Sequence, residues 1–403
     1  HSITKKFGNP NGNIWFERLS HEWKNSKCVY CGASESEYER GIDLESHAYP
    51  FLHTDDLNID IQRMFGEKMR FDVIIGNPPY QLNDGGGEGA GAIPLYHHFV
   101  TQAKKLDPKY LTMIIPARWY SGGKGLNEFR AEMLADQHLA EIHDFPETGL
   151  VFPGVNIRGG VCYFLRSQNH SGNAKIVNYT KTEEPSIATR PLLEDGLTSF
   201  VRYNEAIPIL AKVRKFNEET YESRVQSRNP YGISSNFSDF STKKTTKASV
   251  VLFRSRRGES LDKEVYVDPK YITSNLDFKD KLKVLVSKAS PGGDEYPHLI
   301  LGKPFIGPVN SVSTETYLIV DFPKNVSQAN NLMSYMETRF FRFLVSLIKN
   351  TQNISKGSFA FVPIQDLAEE WTDEKLYKKY RIAKEEIAFI ESMIKPMGES
   401  DND

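Results

Sequence analysis

Apolar residues along this chain come in short blocks, and their rhythm changes near the middle. Phe71-Asp-Val-Ile-Ile75 is a compact, mostly apolar run. That is the pattern of a buried parallel strand, because a strand covered on both faces has no reason to alternate. It stops at Gly76-Asn77-Pro78-Pro79-Tyr80. Two adjacent prolines cannot continue a sheet ladder, so the chain must leave the sheet there as a rigid loop. A helix is expected from about 95 to 106, a second buried strand over Tyr110-Leu-Thr-Met-Ile-Ile115 up to Pro116, and a helix over 126–137. Strands follow at 139–145 and 159–165. This alternation predicts an open, doubly wound α/β sheet, whose ligands sit at the carboxyl ends of its strands, where Asn77 falls.

After about residue 180 that rhythm is lost. Short strand-like pieces at 249–253, 282–286 and 316–320 alternate with polar loops, and helices are expected over 205–215 and 328–349. The reading divides the chain into an irregular segment over 1–60, an α/β domain over 61–180 and an α+β domain over 195–403, with the boundary at 170–195.

Composition narrows the class. A chain of 403 residues with 39% hydrophobic and 25% charged residues is long enough to bury two or three cores. No apolar run approaches the ~20 residues needed to cross a bilayer. Three cysteines, Cys28, Cys31 and Cys162, do not make a disulfide framework, and a reducing cytoplasm is the expected location. The net charge of −2 excludes a nonspecific cationic DNA coat, but not an enzyme with its basic residues on one face.

The chemistry centres on Asn77, Pro78, Pro79 and Tyr80. An exocyclic adenine amine is a weak nucleophile because its lone pair is delocalised into the ring. The Asn77 side-chain oxygen and the Pro78 carbonyl can each accept one amine hydrogen and draw the nitrogen toward a nucleophilic geometry. Proline fixes φ and so holds the carbonyl in place beforehand. Tyr80 offers a flat face for a flipped-out base.

Ile75-Gly-Asn-Pro-Pro-Tyr-Gln81, the run Tyr110–Trp119 (YLTMIIPARW) and Val151-Phe-Pro-Gly-Val155 together resemble bacterial adenine-specific (N6) DNA methyltransferases of restriction–modification systems. The resemblance implies a Rossmann-like methyltransferase sheet followed by a DNA target-recognition domain, the gamma motif order, with S-adenosylmethionine as cofactor and double-stranded DNA as partner. It implies that Phe152 stacks on the other face of the flipped adenine. It also implies cofactor contacts from Asp55 or Asp56 and from Asn77. The family's strand followed by a glycine-rich Asp-Pro-x-x-Gly-x-Gly turn is not found. The glycine-rich stretch Asp84–Gly91 follows the Pro-Pro loop and not a strand, and is expected to be a loop over the substrate base. The main cofactor loop is therefore expected upstream of His1, and a nuclease in another domain or subunit.

Two further clusters stand out. Cys28-Val-Tyr-Cys31-Gly32 has the form of a zinc knuckle, and His21 with His47 brackets it better than His53 does. A faint echo of an HNH nuclease in Glu45–Pro50 lacks the residues that should follow. Residues 243–288 hold 12 cations and 6 carboxylates, a local +6. Lys243, Lys244, Lys247, Arg254, Arg256 and Arg257 are the expected DNA contacts, lysines at phosphates and arginines at base edges. Two rival readings remain: a protein-glutamine methyltransferase, which shares the Asn-Pro-Pro-Tyr loop but lacks a ~200-residue extension, and a DNA-binding recognition module without catalysis.

Overall fold

The computed structural model describes residues 21–33, 35, 51–65, 69–82, 93–155, 157, 159–180, 184–197, 199–254, 264–291, 297–349 and 353–398. The chain divides into two compact units, His1–Phe200 and Val201–Asp403.

The first unit opens with a hairpin, β1 (Trp23–Lys24) and β2 (Lys27–Cys28). Asn25 and Ser26 between them both have positive φ, the two-residue turn whose twist suits a hairpin. Then come α1 (Leu57–Phe65), β3 (Val73–Gly76), β4 (Gln81–Leu82), β5 (Ile93–Pro94) and α2 (Tyr96–Lys105). They are followed by β6 (Tyr110–Pro116), α3 (Asn127–Ala135), β7 (Leu139–Phe145), β8 (Val161–Ser167), β9 (Ala174–Asn178) and β10 (Ser186–Arg190).

Six of these strands form one sheet in the order β10-β9-β7-β8-β6-β3. β3 pairs with β6 in parallel, and β7 with β9 likewise, whereas β8 runs antiparallel between β6 and β7. The expected doubly wound sheet is thus a mixed one. Strand β8 follows β7 through residues 146–160, which hold one 3-10 turn (Thr148–Leu150) and, among the described residues, no crossover α-helix, and it returns as an antiparallel neighbour. The core lies against this sheet: Val100 and Ala103 of α2, Leu111 and Ile115 of β6, Phe129 and Met133 of α3, and Ile142, Phe164 and Ile176 from the strands between.

β3 is not the buried strand its composition predicts. It lies at the sheet edge, with Val73 50% and Ile75 77% exposed, and among the described residues no strand pairs with its outer side. The sheet also runs on past residue 180 through the β9–β10 hairpin, and the two compact units divide at Phe200.

The second unit contains α4 (Ala206–Arg214), β11 (Val250–Phe253), β12 (Val265–Val267), β13 (Lys283–Ser287), β14 (Phe305–Gly307), β15 (Ser311–Ser313) and β16 (Tyr317–Asp321). After them come α5 (Val326–Glu337), α6 (Arg339–Ser346), α7 (Asp373–Lys379) and α8 (Lys384–Met393). Two three-stranded sheets, β12-β11-β15 and β14-β13-β16, share one core through Leu252, Val312, Leu285 and Ile319. The helix expected over 328–349 is two helices. Thr338 breaks it with extended backbone (φ −62°, ψ 149°), and its hydroxyl accepts the Phe341 N–H at 3.1 Å. The Asp373 carboxylate takes the N–H groups of Arg339 and Phe340 at 3.0 and 2.8 Å, so the first donors of α6 are all capped.

Candidate functional site

Because β3, β6, β7 and β9 run the same way, their carboxyl ends lie along one edge of the sheet. Asn77–Tyr80 leave the end of β3, one residue beyond the Gly76–Met113 pair. Asn77 is exposed, Pro78 buried, Pro79 exposed and Tyr80 half-buried. The Leu95 N–H donates to the Tyr80 carbonyl at 3.0 Å, and β4 pairs with β5 immediately after the loop, so the backbone is clamped just beyond the prolines. The Tyr80 ring packs on the sheet core, and burial pushes its phenol up to about 12, helped by the nearby Cys162. Its phenol therefore stays neutral at working pH.

At the same edge, the loop after β7 carries Phe152. Buried Thr148 fixes this loop: its hydroxyl donates to the Ile157 carbonyl at 3.0 Å and accepts the Ile157 N–H at 3.3 Å, while its own carbonyl accepts the Phe152 N–H at 2.8 Å. Phe152 is half-buried. Gly160 closes the loop at φ +76°, where a Cβ would stand 2.1 Å from the Phe145 carbonyl oxygen, so only glycine fits. Buried Asp144, at the end of β7, accepts from Tyr120 at 3.2 Å and from Asn178 at 3.4 Å. It ties the end of β7 to the end of β9 and to the 3-10 turn that follows β6. Neither Thr148 nor Asp144 was read from the sequence, although a carboxylate closing a parallel strand was a legible signal.

Asp55 and Asp56 part company. The Asp56 carboxylate caps α1, accepting the N–H groups of Asn58 at 2.9 Å and Ile59 at 3.2 Å. Asp55 is exposed, and Tyr30 donates to it at 2.8 Å. Asp55 is therefore the better-presented of the two for a cofactor, and Tyr30, which no sequence pattern marked, orients it.

The cysteine knuckle gains a different fourth partner. His21, Cys28, Cys31 and His53 offer ligand atoms that all lie within 4.8 Å of one another. Cys28 Sγ is 3.7 Å from His53 Nε2, and Cys31 Sγ is 3.4 Å from His21 Nδ1. His47, the nitrogen expected to complete the set, lies outside the described residues, and His53 takes the place. The hydrogen bond from Cys31 holds the Cys28 thiol well below the usual range against the opposing effect of burial, with His21 and His53 adding to it. Gly32 (φ +73°) makes the turn, and its N–H returns to the Cys28 carbonyl at 2.9 Å. Two thiolates and two imidazoles form a closed donor set suited to tetrahedral zinc.

In the second unit the +6 of residues 243–288 is unevenly available. Lys270, Lys279, Lys281 and Lys288 pair with Asp268, Asp280, Asp277 and Glu315 at 3.6, 2.5, 2.7 and 3.9 Å. Lys283 is buried. Its ammonium donates to the Pro308 and Ser311 carbonyls and the Ser311 hydroxyl at 3.0–3.1 Å, and burial lowers it to about 8. Lys243, Lys244 and Lys247 are exposed. The Arg254 guanidinium lies 3.8 Å above the Phe240 ring, which orients its plane. Arg256 and Arg257 lie outside the described residues, as does the glycine-rich stretch Asp84–Gly91.

Residues 2–152 match the family described as Eco57I restriction-modification methylase. This part of the chain, which includes the Asn-Pro-Pro-Tyr loop and Phe152, is similar to the methylase domain of that family. A curated relative from Mycoplasma pneumoniae, described as an uncharacterized adenine-specific methylase, is 37% identical over 207 residues, 48% of this chain and 49% of the relative. The chain thus spans about half the length of that relative. Among solved structures, the type IIG restriction endonuclease BpuSI is 13% identical with a TM-score of 0.33, covering 81% of this chain and 53% of its own. The type IIL enzyme MmeI in complex with DNA is 11% identical with a TM-score of 0.40, covering 72% and 46%.

Proposed function

We propose that this protein transfers a methyl group from S-adenosylmethionine to N6 of an adenine in double-stranded DNA, as the modification activity of a restriction–modification system. The observation that carries the reading is the Asn77–Tyr80 loop at the carboxyl end of β3, clamped by the Leu95–Tyr80 hydrogen bond, within a stretch that matches the methylase family.

The roles follow from chemistry. Asn77 and Pro78 present two carbonyl-type oxygens to the amine hydrogens and stabilise the developing tetrahedral nitrogen. Because the Pro78 backbone is fixed, no reorganisation is needed when the base arrives. Tyr80 and Phe152 take the two faces of the flipped adenine, compensating its lost stacking. S-adenosylmethionine supplies the electrophilic methyl group, with Asp55 and Asn77 as its polar contacts among the described residues. A structural zinc ion at the Cys-His cluster belongs to the same reading. Lys243, Lys244 and Lys247 meet phosphates, and Arg254, with Arg256 and Arg257 beside it in sequence, reads base edges. A nuclease, fused or separate, would complete the system.

The test is to incubate the full-length protein with DNA and labelled S-adenosylmethionine and identify the modified base. N6-methyladenine at one short recurrent sequence is expected. Label on protein glutamine, or on no substrate under conditions where DNA is bound, would overturn the reading.

A further inference from the structure

The metal-ligand cluster lies in the first unit with the Asn77–Tyr80 loop, and contacts run from it to Asp55 and to Leu95, which holds that loop. We infer that the zinc ion held by His21, Cys28, Cys31 and His53 braces the segments that carry Asp55 and Tyr80. The role of those segments rests on the methyl-transfer reading, while the metal site rests on its own donor set.

A tetrahedral zinc with bonds of about 2.0–2.3 Å holds its ligand atoms roughly 3.3–3.8 Å apart. The Cys28–His53 and Cys31–His21 pairs already meet that spacing at 3.7 and 3.4 Å. Four protein ligands leave no open position, so the ion has no water to activate and its contribution is mechanical. The strap it makes is specific. Three ligands come from the β1–β2 hairpin and its flanks, and the fourth, His53, belongs to a segment 25 residues beyond Cys28. Cross-linking them fixes that segment.

The first chain of contacts runs through Tyr30, which lies between two ligands and donates to Asp55 at 2.8 Å, two residues past His53. The second runs through the apolar side of the knuckle. Cys28, Cys31, Ala33 and Leu52 pack with Leu95 and Phe99, and Phe51 stacks on Phe99 at 5.9 Å between centroids. Leu95 is the residue whose N–H holds the Tyr80 carbonyl. Release of the ion would free the hairpin from His53 and loosen both the Asp55 carboxylate and the packing behind Leu95, next to strand β5, while leaving the second unit untouched.

The experiment uses the full-length protein, first assayed for metal by elemental analysis, with one zinc per chain expected. Cobalt replacement should give the visible bands of a tetrahedral thiolate site. Zinc is then removed stepwise with a chelator, and separately by His53→Ala. The KM for S-adenosylmethionine should rise about tenfold or more, in the usual range for coupled sites, and the fluorescence of 2-aminopurine at the target position should lose its flipping signal. The Kd for DNA should change less than twofold. His53→Cys keeps four ligands and should restore zinc, KM and the flipping signal, a rescue that general loss of structure would not show. If His53→Ala does not fold, the chelation series and His53→Cys make the same comparison. Metal-free protein with full activity would overturn the site. One bound zinc whose removal leaves KM and flipping unchanged would overturn the brace. Failure of the methyl-transfer reading would appear separately, as zinc-loaded protein that binds DNA but forms no N6-methyladenine.

Discussion

In the first unit the groups assigned to chemistry are neutral and short: an amide, a proline carbonyl and two aromatic rings, each on a loop clamped through its backbone. Leu95 clamps one loop and Thr148 the other. In the second unit the groups assigned to recognition are cations on long stems, with Lys243, Lys244 and Lys247 exposed and only Arg254 oriented by a ring. The difference follows from the two tasks. Stabilising a transition state requires atoms placed before the substrate arrives, and rigid neutral groups do this without a desolvation cost. Following a phosphate backbone requires charge within reach, and flexible stems suffice. The two sets should therefore respond differently to mutation and to salt.

The largest expected effect is at the rigid end. Asn77→Ala should lower kcat by ~10²–10³, about 2.7–4 kcal/mol, with DNA affinity unchanged, because the lost hydrogen bond acts in the transition state. Single-turnover methylation with parallel DNA titrations measures both, and near wild-type turnover would break the contrast.

Next in size is Lys283, a cation of the second unit that is buried and so not available to DNA. Lys283 has its folded value lowered to about 8 from an ordinary 10.5. Between those values the unfolded chain binds more protons than the folded one, so stability should rise with pH across that window and level off below about 8, where both states are protonated. The full difference approaches ~3 kcal/mol at 1.36 kcal/mol per unit. Denaturant titrations from pH 7.5 to 9.5, below the range where buried tyrosines ionise in the unfolded chain, should show the rise. Lys283→Met should abolish it, whereas an unchanged slope would show that the ammonium is solvated.

Arg254→Ala should cost ~1–3 kcal/mol and relax preference at one position of the recognised site. Loss of affinity that is uniform over all sequences would make Arg254 a phosphate contact instead. The smallest effect is expected for Lys243→Ala or Lys244→Ala. Each should weaken binding to all sequences alike and reduce the salt slope by about one. Affinity measured from 50 to 200 mM salt would reveal it, and a change in site preference would erase the distinction between reading and clamping.

Local pattern made much of the first unit legible. β6, α2, α3 and β7 stand close to where the apolar periods place them, because a strand or helix that buries one contiguous core announces its own spacing. The Asn77–Tyr80 loop was equally plain, since adjacent prolines end a strand whatever surrounds it. Other features needed the fold. The apolar composition of Val73–Gly76 cannot say whether a neighbour is present on each side, and here one edge is exposed. The break at Thr338 depends on Asp373, a carboxylate that is distant in sequence and supplies the caps for a second helix. That His53 meets the knuckle depended on where the turn at Leu52–Thr54 places its imidazole. The sequence by itself determined which residue types were available and where the backbone had to turn, because those are properties of single residues and their near neighbours. Only the tertiary structure decided which of them meet, since pairing, burial and coordination depend on segments that chain connectivity leaves free to choose among partners.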